Sequence, residues 1–455
     1  MKSQDSIDQY QRFENTIAEF RRQPTEYPRR VHNRLTRQMH NALPAFLFWL
    51  ATALLLNLLA GTWFTEREDK ADAAAVLALC ALALTIAARS YTVNHLLYHS
   101  LGRLGRLHGV HYVSERIGFL HRFMALSTLL WLGVHAAERH YAPPYGDEAL
   151  LLGLLLALVV IIASASTPFR RRHHNHFENI HRYVGYLAVI LLIAYLLVDS
   201  TQSAGSPAAL IDRPQPYLVA AIVMMLIAPW IGVREAHPAL VHVGPHVIGM
   251  RLPGAPSFGT YTRCTLANRH FHPFGDSMID FDDTANRVLY ITPAGDRTTE
   301  VVNAARAGDF MLAECTTRAD RFKGFMYHLG VYDDVLIVVT GGGIAPVIPC
   351  LVLNTDKRIN VLWLGRNQAE EFTEELLGKL LDKIAGRDIN IHMLNTNDPD
   401  LRAIGDRHYT ALILQACAHY RPQAVFVMSN QKFTIDVMHA LRENGIKAYG
   451  ATFDS

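Results

Sequence analysis

The sequence predicts a bundle of six membrane-spanning helices, followed by a soluble part made of a small antiparallel β-barrel and a parallel α/β domain. Three observations predict it. Half of the 455 residues are hydrophobic, and they are clumped in the first half of the chain while charge spreads evenly through the second. Basic residues gather in alternate loops between the apolar runs. Beyond about residue 335, short β-branched strands alternate with helical patterns, which is the signature of a parallel sheet with crossovers.

Six segments approach the roughly 20 apolar residues that cross a bilayer: Leu43–Phe64, Ala71–Ala88, Gly118–Ala137, Ala149–Thr167, Ile180–Val198 and Tyr217–Val233. Arg29, Arg30, Arg34 and Arg37 precede the first, Arg103, Arg106 and Arg116 lie between the second and third, and Arg170, Arg171 and Arg172 between the fourth and fifth. The other loops carry Glu66, Glu68, Asp69 and Asp72, then Glu138, Asp147 and Glu148, then almost no charge. Basic loops face the cytoplasm, so both ends of the six-span region belong there, and a cell inner membrane is the expected location. The polar first forty residues begin too far from an apolar run for a cleaved signal, and Tyr10, Phe13, Ile17 and Phe20 mark one face of an amphipathic helix. The five cysteines (Cys80, Cys264, Cys315, Cys350, Cys417) are far apart with no C-x-x-C pair, against an iron–sulfur, zinc or disulfide framework. The net charge of +2 decides nothing by itself, and no nucleic-acid partner is expected.

Ionisable side chains inside a span are functional candidates by default. The third span holds His121 and His135, fourteen residues apart, so the two face the same way about 21 Å apart along the axis. The fifth span starts with His181. Both spans leave the same side of the membrane, so His121 and His181 share one depth and are placed to give a metal both axial ligands. Arg122 and Arg182 follow them, as propionate partners for a haem or as ordinary flanking charge. Interhelical hydrogen bonding is the plain alternative for the histidines. A second, outer site would use His135, but the matching positions on the fifth span are Ala194 and Tyr195; one haem, two (with Tyr195 or His140 as an unusual ligand) or none all stay open. His95, His99, His108, His111, His173, His174 and His176 cluster on the cytoplasmic side, as interfacial loop residues or as a non-haem metal site, although no H-x-x-H-H box occurs.

In the soluble part, Tyr261–Ala267, Arg287–Thr292 and Asp309–Cys315 read as barrel strands separated by Gly, Pro and Asp turns. The buried-looking strand Val335–Thr340 runs into Gly341-Gly342-Gly343-Ile344-Ala345-Pro346, and a glycine turn there lets a backbone approach a pyrophosphate. Strand Asn360–Leu364, helix Glu370–Ile384, strand Asn390–Leu394, helix Thr410–His419 and strand Ala424–Met428 follow.

Taken in order, these features resemble the ferric reductase and NADPH oxidase superfamily, or its related transmembrane flavoproteins, over about residues 40 to 455. The motifs that carry the resemblance are His121 with His135, Phe177-Glu178 before His181-Arg182, His272-Pro273-Phe274, and the glycine turn Gly341–Pro346, which is similar to G-T-G-I-A-P. The resemblance implies a ferredoxin–NADP-reductase-like module behind a six-helix transmembrane bundle. Its domains would be a cytoplasmic segment at 1–40, a haem-binding transmembrane domain at 41–235, an FAD-binding barrel at 236–332 and an NAD(P)-binding α/β domain at 333–455. It implies FAD against His272, Pro273 and Phe274, with Arg269 and Ser277 as candidate FAD contacts and Phe453 as a candidate stacking aromatic. NAD(P)H would lie at Gly341, Gly342, Gly343, Ile344, Ala345 and Pro346 with Arg366 near its adenine ribose, and haem b between His121 and His181. Electrons would pass from NAD(P)H through FAD and haem to an unknown acceptor. The chain departs from the family pattern at Gly275, where threonine is usual, at Cys315-Thr316-Thr317-Arg318 in place of G-P-Y-G, and at Met428-Ser429 in place of Cys-Gly. Two rivals stand beside this reading: a histidine-ligated non-haem iron oxygenase or desaturase with a fused reductase, and a non-catalytic membrane flavoprotein kept as scaffold or regulator. A transporter is disfavoured, since the spans show no internal repeat.

Overall fold

A computed structural model describes residues 4–27, 34–103, 113, 116–140, 147–203, 211–266, 271–283, 285–293, 295–309, 317–354, 356–402 and 404–450. In chain order the helical first half contains α1 (Gln4–Arg22), α2 (Arg34–Thr65), α3 (Lys70–Ala87), α4 (Tyr91–Arg103), α5 (Gly118–His140), α6 (Glu148–Ser164), α7 (Thr167–Arg172), α8 (His174–Ser203) and α9 (Gln215–Ile231). The second half contains β1 (Arg234–Ala236), β2 (Ala239–Val243), β3 (Ile248–Pro253), β4 (Thr260–Thr265), β5 (Phe271–Ser277), β6 (Asn286–Ile291), α10 (Asp296–Arg306) and β7 (Thr317–Lys323). It ends with β8 (Asp334–Thr340), α11 (Ile348–Leu353), β9 (Arg358–Gly365), α12 (Gln368–Phe372), α13 (Glu374–Ile384), β10 (Ile389–Asn395), α14 (Pro399–Arg402), α15 (Asp406–Tyr420), β11 (Ala424–Met428), α16 (Gln431–Glu443) and β12 (Ala448–Gly450). Two compact units result: residues 45–93 with 116–231, and residues 1–44, 94–115 and 232–455.

The first unit is a helical bundle turned apolar side out. Small residues such as Ala74, Ala78 and Ala81 are buried in its interior, while Leu58 (65 %), Ile190 (62 %) and Met224 (71 %) are exposed. That distribution suits helices that pack closely through small side chains and face hydrocarbon outward. Among the described helices, three segments are long and apolar enough to cross a membrane: Ala42–Thr65, Lys70–Ala87 and His176–Asp199. Six were expected. Helices α6 and α9 are apolar but have only 17 residues each, and α5, at 23 residues, carries His121, Arg122, His135, Glu138 and Arg139. Inside the bundle, Asn57 donates to Ser127 Oγ (2.7 Å) and accepts from Trp131 Nε1 (3.0 Å), tying α2 to α5 with polar groups that hydrocarbon would leave unpaired.

The second unit holds two sheets. Seven antiparallel strands run in the order β1-β7-β4-β5-β6-β3-β2, and five parallel strands in the order β10-β9-β8-β11-β12. The parallel strands read as near-continuous apolar runs because both faces are covered. Ile337, Val339 and Trp363 face α11 and α13, while Val338, Leu362 and Val427 face α15 and α16. The amphipathic helix α1 completes this second layer: Phe13, Ile17 and Phe20 are buried there. Beside them the His392 ring stacks on Tyr10 at 4.6 Å and bonds Glu14 (2.5 Å) and Tyr420 (2.7 Å). The hydrogen bond from His392 holds the Glu14 carboxyl below its ordinary range.

The antiparallel sheet contains more strands than its sequence advertises. The expected strand Asp309–Cys315 is not observed at Asp309, and residues 310–316 lie outside the described residues; the strand in this region is β7, starting at Thr317. The expected helix Glu370–Ile384 is split into α12 and α13 at Thr373, whose φ is 59° and whose hydroxyl caps α13 by accepting from Leu376 N (3.2 Å). Strand β5 is held by Asp276, which is buried and accepts from Thr260 (2.7 Å), Thr262 (2.6 Å) and Arg321 Nε (2.6 Å), with Arg287 Nε 3.7 Å away. Removing one partner from such a network leaves buried charge uncompensated. Asp276→Ala should therefore cost about 3–5 kcal/mol, read as a lowered denaturation midpoint of the purified full chain, with Asp276→Glu less damaging.

Candidate functional site

Two sites take shape, one in each unit. In the helical unit, α3 ends by tightening: Ala88 N bonds Leu84 O, but Arg89 N bonds Ile86 O and Ser90 N bonds Ala87 O. The Thr85 carbonyl is therefore passed over by the helical ladder, one of the last-turn acceptors that must find another partner. His121 Nδ1 supplies it, at 2.9 Å. Fourteen residues on in α5 and fourteen back in α3, His135 Nδ1 bonds Ala71 O at 2.7 Å, so the two helices run antiparallel in fixed register.

Helices α5 and α8 run parallel and meet through side chains at three levels. His121 and His181 lie with ring centroids 6.1 Å apart at 52°. His135 Nε2 and the Tyr195 hydroxyl lie 2.5 Å apart, and Arg139 reaches Asp199 at 2.5 Å as well as Asp147 at 2.6 Å. The expected pairing of His121 with His181 at one level is thus observed. Two imidazoles that each stand about 2 Å from one metal ion have ring centres about 6 Å apart, so the separation fits a shared metal. Donation from Nδ1 to a backbone carbonyl leaves His121 Nε2 as the lone-pair nitrogen, the usual arrangement of a ligating histidine. His181 Nδ1 is buried without a hydrogen-bond partner among the described residues.

Fourteen residues on, both nitrogens of His135 are engaged, one by Ala71 and one by Tyr195, so this side chain as it stands has no lone pair left for a metal. The Arg122 guanidinium lies over Phe119, 5.5 Å from its centroid. Sequence reasoning missed Arg89, which acts electrostatically on both His121 and His181 and whose Nη1 stands 3.3 Å from where a Cβ at Gly118 would be. Its signal was available: a lone arginine just beyond a span, opposite a glycine.

Among the described residues no group of three or more His, Cys, Asp or Glu side chains is placed to hold a metal ion. His95 and His99 face Lys323 instead: His95 Nδ1 accepts from its backbone N–H at 3.1 Å, and His99 Nδ1 from its ammonium at 2.6 Å. His173 meets His176 edge-on at 6.0 Å, while His108 and His111 lie outside the described residues. Cys80, Cys264, Cys350 and Cys417 are free thiols, and burial pushes Cys350 up to about 12, which makes it inert.

In the second unit, the strand order places β8 at the point where the chain turns from one side of the sheet to the other: β9 and β10 build outward on one side, β11 and β12 on the other. Ligands of open parallel sheets bind at the carboxyl ends of the strands at such a point. The turn Gly341-Gly342-Gly343 sits there, wound with Ile344, Ala345, Pro346 and Val347 into a 3-10 helix rather than the opening of a long α-helix. Each glycine has a reason. Gly341 has φ 50°, a Cβ on Gly342 would stand 2.5 Å from Thr292 Cγ2, and one on Gly343 2.8 Å from the Met428 carbonyl oxygen. Across the crevice the hydroxyls of Thr340 and Ser429 meet at 2.6 Å, and Trp363 Nε1 donates to Gly341 O at 2.9 Å. Met428 and Ser429 thus line the turn.

Strand β5 joins this crevice from the antiparallel sheet. Its second half pairs with β6 at Asp276 and Ser277, whereas Phe271–Gly275 pairs only with β4 on the other side. That open edge is where a proline is tolerated in a strand, and it presents Pro273 exposed with His272 and Phe274 half-buried. Gly275 packs against Pro346 so closely that a Cβ would overlap it. Ser277, a candidate FAD contact, is buried and donates to the Ala345 carbonyl at 2.6 Å, so it ties β5 to the glycine turn instead of reaching outward. Arg366 is exposed at the carboxyl end of β9. Arg269 and Phe453 lie outside the described residues. Gly275→Thr should lower thermal stability because Pro346 must move, and Gly343→Ala should do so against a rigid backbone atom, each by about 1–3 kcal/mol. Thermal denaturation of the purified protein reads both.

A family model for the C-terminal domain of adenylate-forming reductase 03009 matches residues 325–455. Adenylate-forming reductase 03009 of Coprinopsis cinerea is 26% identical over 355 residues, 74% of this chain and 32% of the relative. Adenylate-forming reductase 06235 of the same fungus is 26% identical over 361 residues, 74% of this chain and 33% of its own length. The chain spans about a third of the length of these curated relatives. Among solved structures, a flavohemoglobin from Malassezia yamatoensis with bound FAD and heme gives a TM-score of 0.39 at 14% identity, covering 85% of this chain and 99% of that one. A ferredoxin-NADP+ reductase from Plasmodium falciparum with 2'P-AMP gives 0.33 at 12% identity, covering 47% and 94%. By sequence, then, the chain is similar to part of two fungal adenylate-forming reductases, one of them through its C-terminal domain.

Proposed function

We propose that this chain is a membrane flavoprotein reductase that takes hydride from NAD(P)H into FAD and delivers single electrons to one haem b held by His121 and His181. The observation that carries the reading is the His121–His181 pair, 6.1 Å apart between parallel helices, with the Thr85 carbonyl fixing the tautomer of His121. The bundle lies in the lipid bilayer, a reading supported by its exposed apolar side chains, with both termini cytoplasmic, a reading supported by the arginines of its alternate loops.

The residues divide the work. Gly341, Gly342 and Gly343 keep side chains out of the way so that backbone N–H groups can meet the pyrophosphate of the dinucleotide. The Thr340–Ser429 hydroxyl pair orients polar groups of the nicotinamide half at the carboxyl ends of β8 and β11. Arg366, at the end of the next strand, is placed to meet the adenine ribose and any phosphate on it. The open edge at His272, Pro273 and Phe274 offers a flat surface to the isoalloxazine ring, and the Gly275–Pro346 contact with the Ser277 bond holds that edge against the glycine turn. Bound flavin supplies the exchange between two-electron hydride and single electrons, and bound haem supplies one-electron carriage. His121, with Nδ1 held by the Thr85 carbonyl, and His181 beside it would hold the haem. Because both nitrogens of His135 are engaged, a single inner haem is the expected complement, and the acceptor is a lipid-soluble or cytoplasmic one.

A second reading follows from the curated relatives. Those relatives are named adenylate-forming reductases, and in that reading this chain supplies reducing equivalents for the reduction of an adenylate. The two readings separate on the electron's destination.

Anaerobic addition of NADPH to detergent-purified protein tests the favoured one. Flavin absorbance should bleach first, followed by the sharp α-band of a reduced b-type haem, and His121→Ala should abolish the second change while sparing the first. Protein that carries neither flavin nor haem after purification sinks the proposal.

A further inference from the structure

The two imidazoles that face each other across the helical unit are not equivalent. His121 is anchored: its Nδ1 donates to the Thr85 carbonyl at 2.9 Å, a carbonyl that the tightened end of α3 leaves free. Such an outer hydrogen bond fixes ring orientation and tautomer and raises the basicity of the nitrogen opposite. His181 has no such anchor. Its Nδ1 is buried without a partner among the described residues, and its ring neighbours are Phe177, with centroids 5.5 Å apart, and His121 itself. A buried ring nitrogen left unpaired costs free energy, and no hydrogen bond fixes this ring at Nδ1 among the described residues.

We propose that His121 is the fixed axial ligand and His181 the exchangeable one, so that the His181 side of the iron is a binding site for a small neutral diatomic ligand. This rests on the haem reading above. It also narrows the acceptor class to a small molecule able to take the place that His181 would leave. Phe177 is a positioning residue here, since its ring limits how far His181 swings.

The test uses the purified full chain with carbon monoxide as the probe, reading haem content, spin-state bands and carbon monoxide uptake of the reduced protein. The wild type should be low-spin and take up carbon monoxide slowly. His181→Ala should keep its haem, turn high-spin, bind carbon monoxide about tenfold faster or more, and return to low spin with added imidazole. His121→Ala should lose its haem. Phe177→Ala leaves both ligands in place and should raise the carbon monoxide rate with haem content unchanged, which keeps the proposal open to refutation even when His181→Ala fails to fold. Equal haem loss from the two histidine variants, or a wild-type protein inert to carbon monoxide with Phe177→Ala no faster, overturns the asymmetry alone. A wild type without haem overturns the underlying reading together with it.

Discussion

One hydrogen bond organises the helical unit: His121 Nδ1 to the carbonyl of Thr85. It exists because the last turn of α3 tightens and abandons that acceptor, and an abandoned acceptor among apolar helices must be satisfied from within the protein. The same bond sets the register of α3 against α5, so that His135 meets Ala71 fourteen residues away, and it fixes the His121 ring beside that of His181. Helix α8 then follows α5 in parallel, with Tyr195 opposite His135 and Asp199 opposite Arg139. His121, His135 and Arg139, which lower the hydropathy of α5, are thus contacts that join it to its neighbours.

The soluble unit obeys a different constraint, close approach of backbones. Three glycines at the carboxyl end of β8 give room to Thr292, to the Met428 carbonyl and to a left-handed φ, while Gly275 gives room to Pro346. Antiparallel strand β5 and the parallel sheet are locked together through that last contact and the Ser277–Ala345 bond. Substituting threonine at position 275, the residue usual in the family that the motifs resemble, would push the two apart. The departure at Gly275 is therefore a packing solution and gives no support to a merely structural scaffold.

Much of this was legible in the residues. The apolar runs of β8, β9, β10 and β11 show because a strand covered on both faces needs apolar side chains throughout. The pairing of His121 with His181 is readable from loop charge and span direction alone. Other parts were hidden for physical reasons. Strand β5 reads as a loop because His272-Pro273 and Gly275 are poor strand formers, and only its unpaired edge tolerates them. The amphipathic face of α1 is plain in Phe13, Ile17 and Phe20, but nothing local says that α15 and β10 cover it; that knowledge lives in contacts almost 400 residues away, such as Glu14 with His392 at a sequence separation of 378. The commitment of Ser277 and His135 to internal partners was likewise invisible, since a hydroxyl or imidazole shows its chemistry in sequence and its partner only in space.

The central claim is that two imidazoles, one tied to a backbone carbonyl and one not, enclose a single iron porphyrin within the bundle. Electron paramagnetic resonance of the oxidised, detergent-purified protein tests it most directly. The account predicts one low-spin ferric species with the g-values of paired nitrogen ligands, lost when either histidine is replaced. A spectrum with no ferric haem signal, or one unchanged after replacing His121, would contradict it.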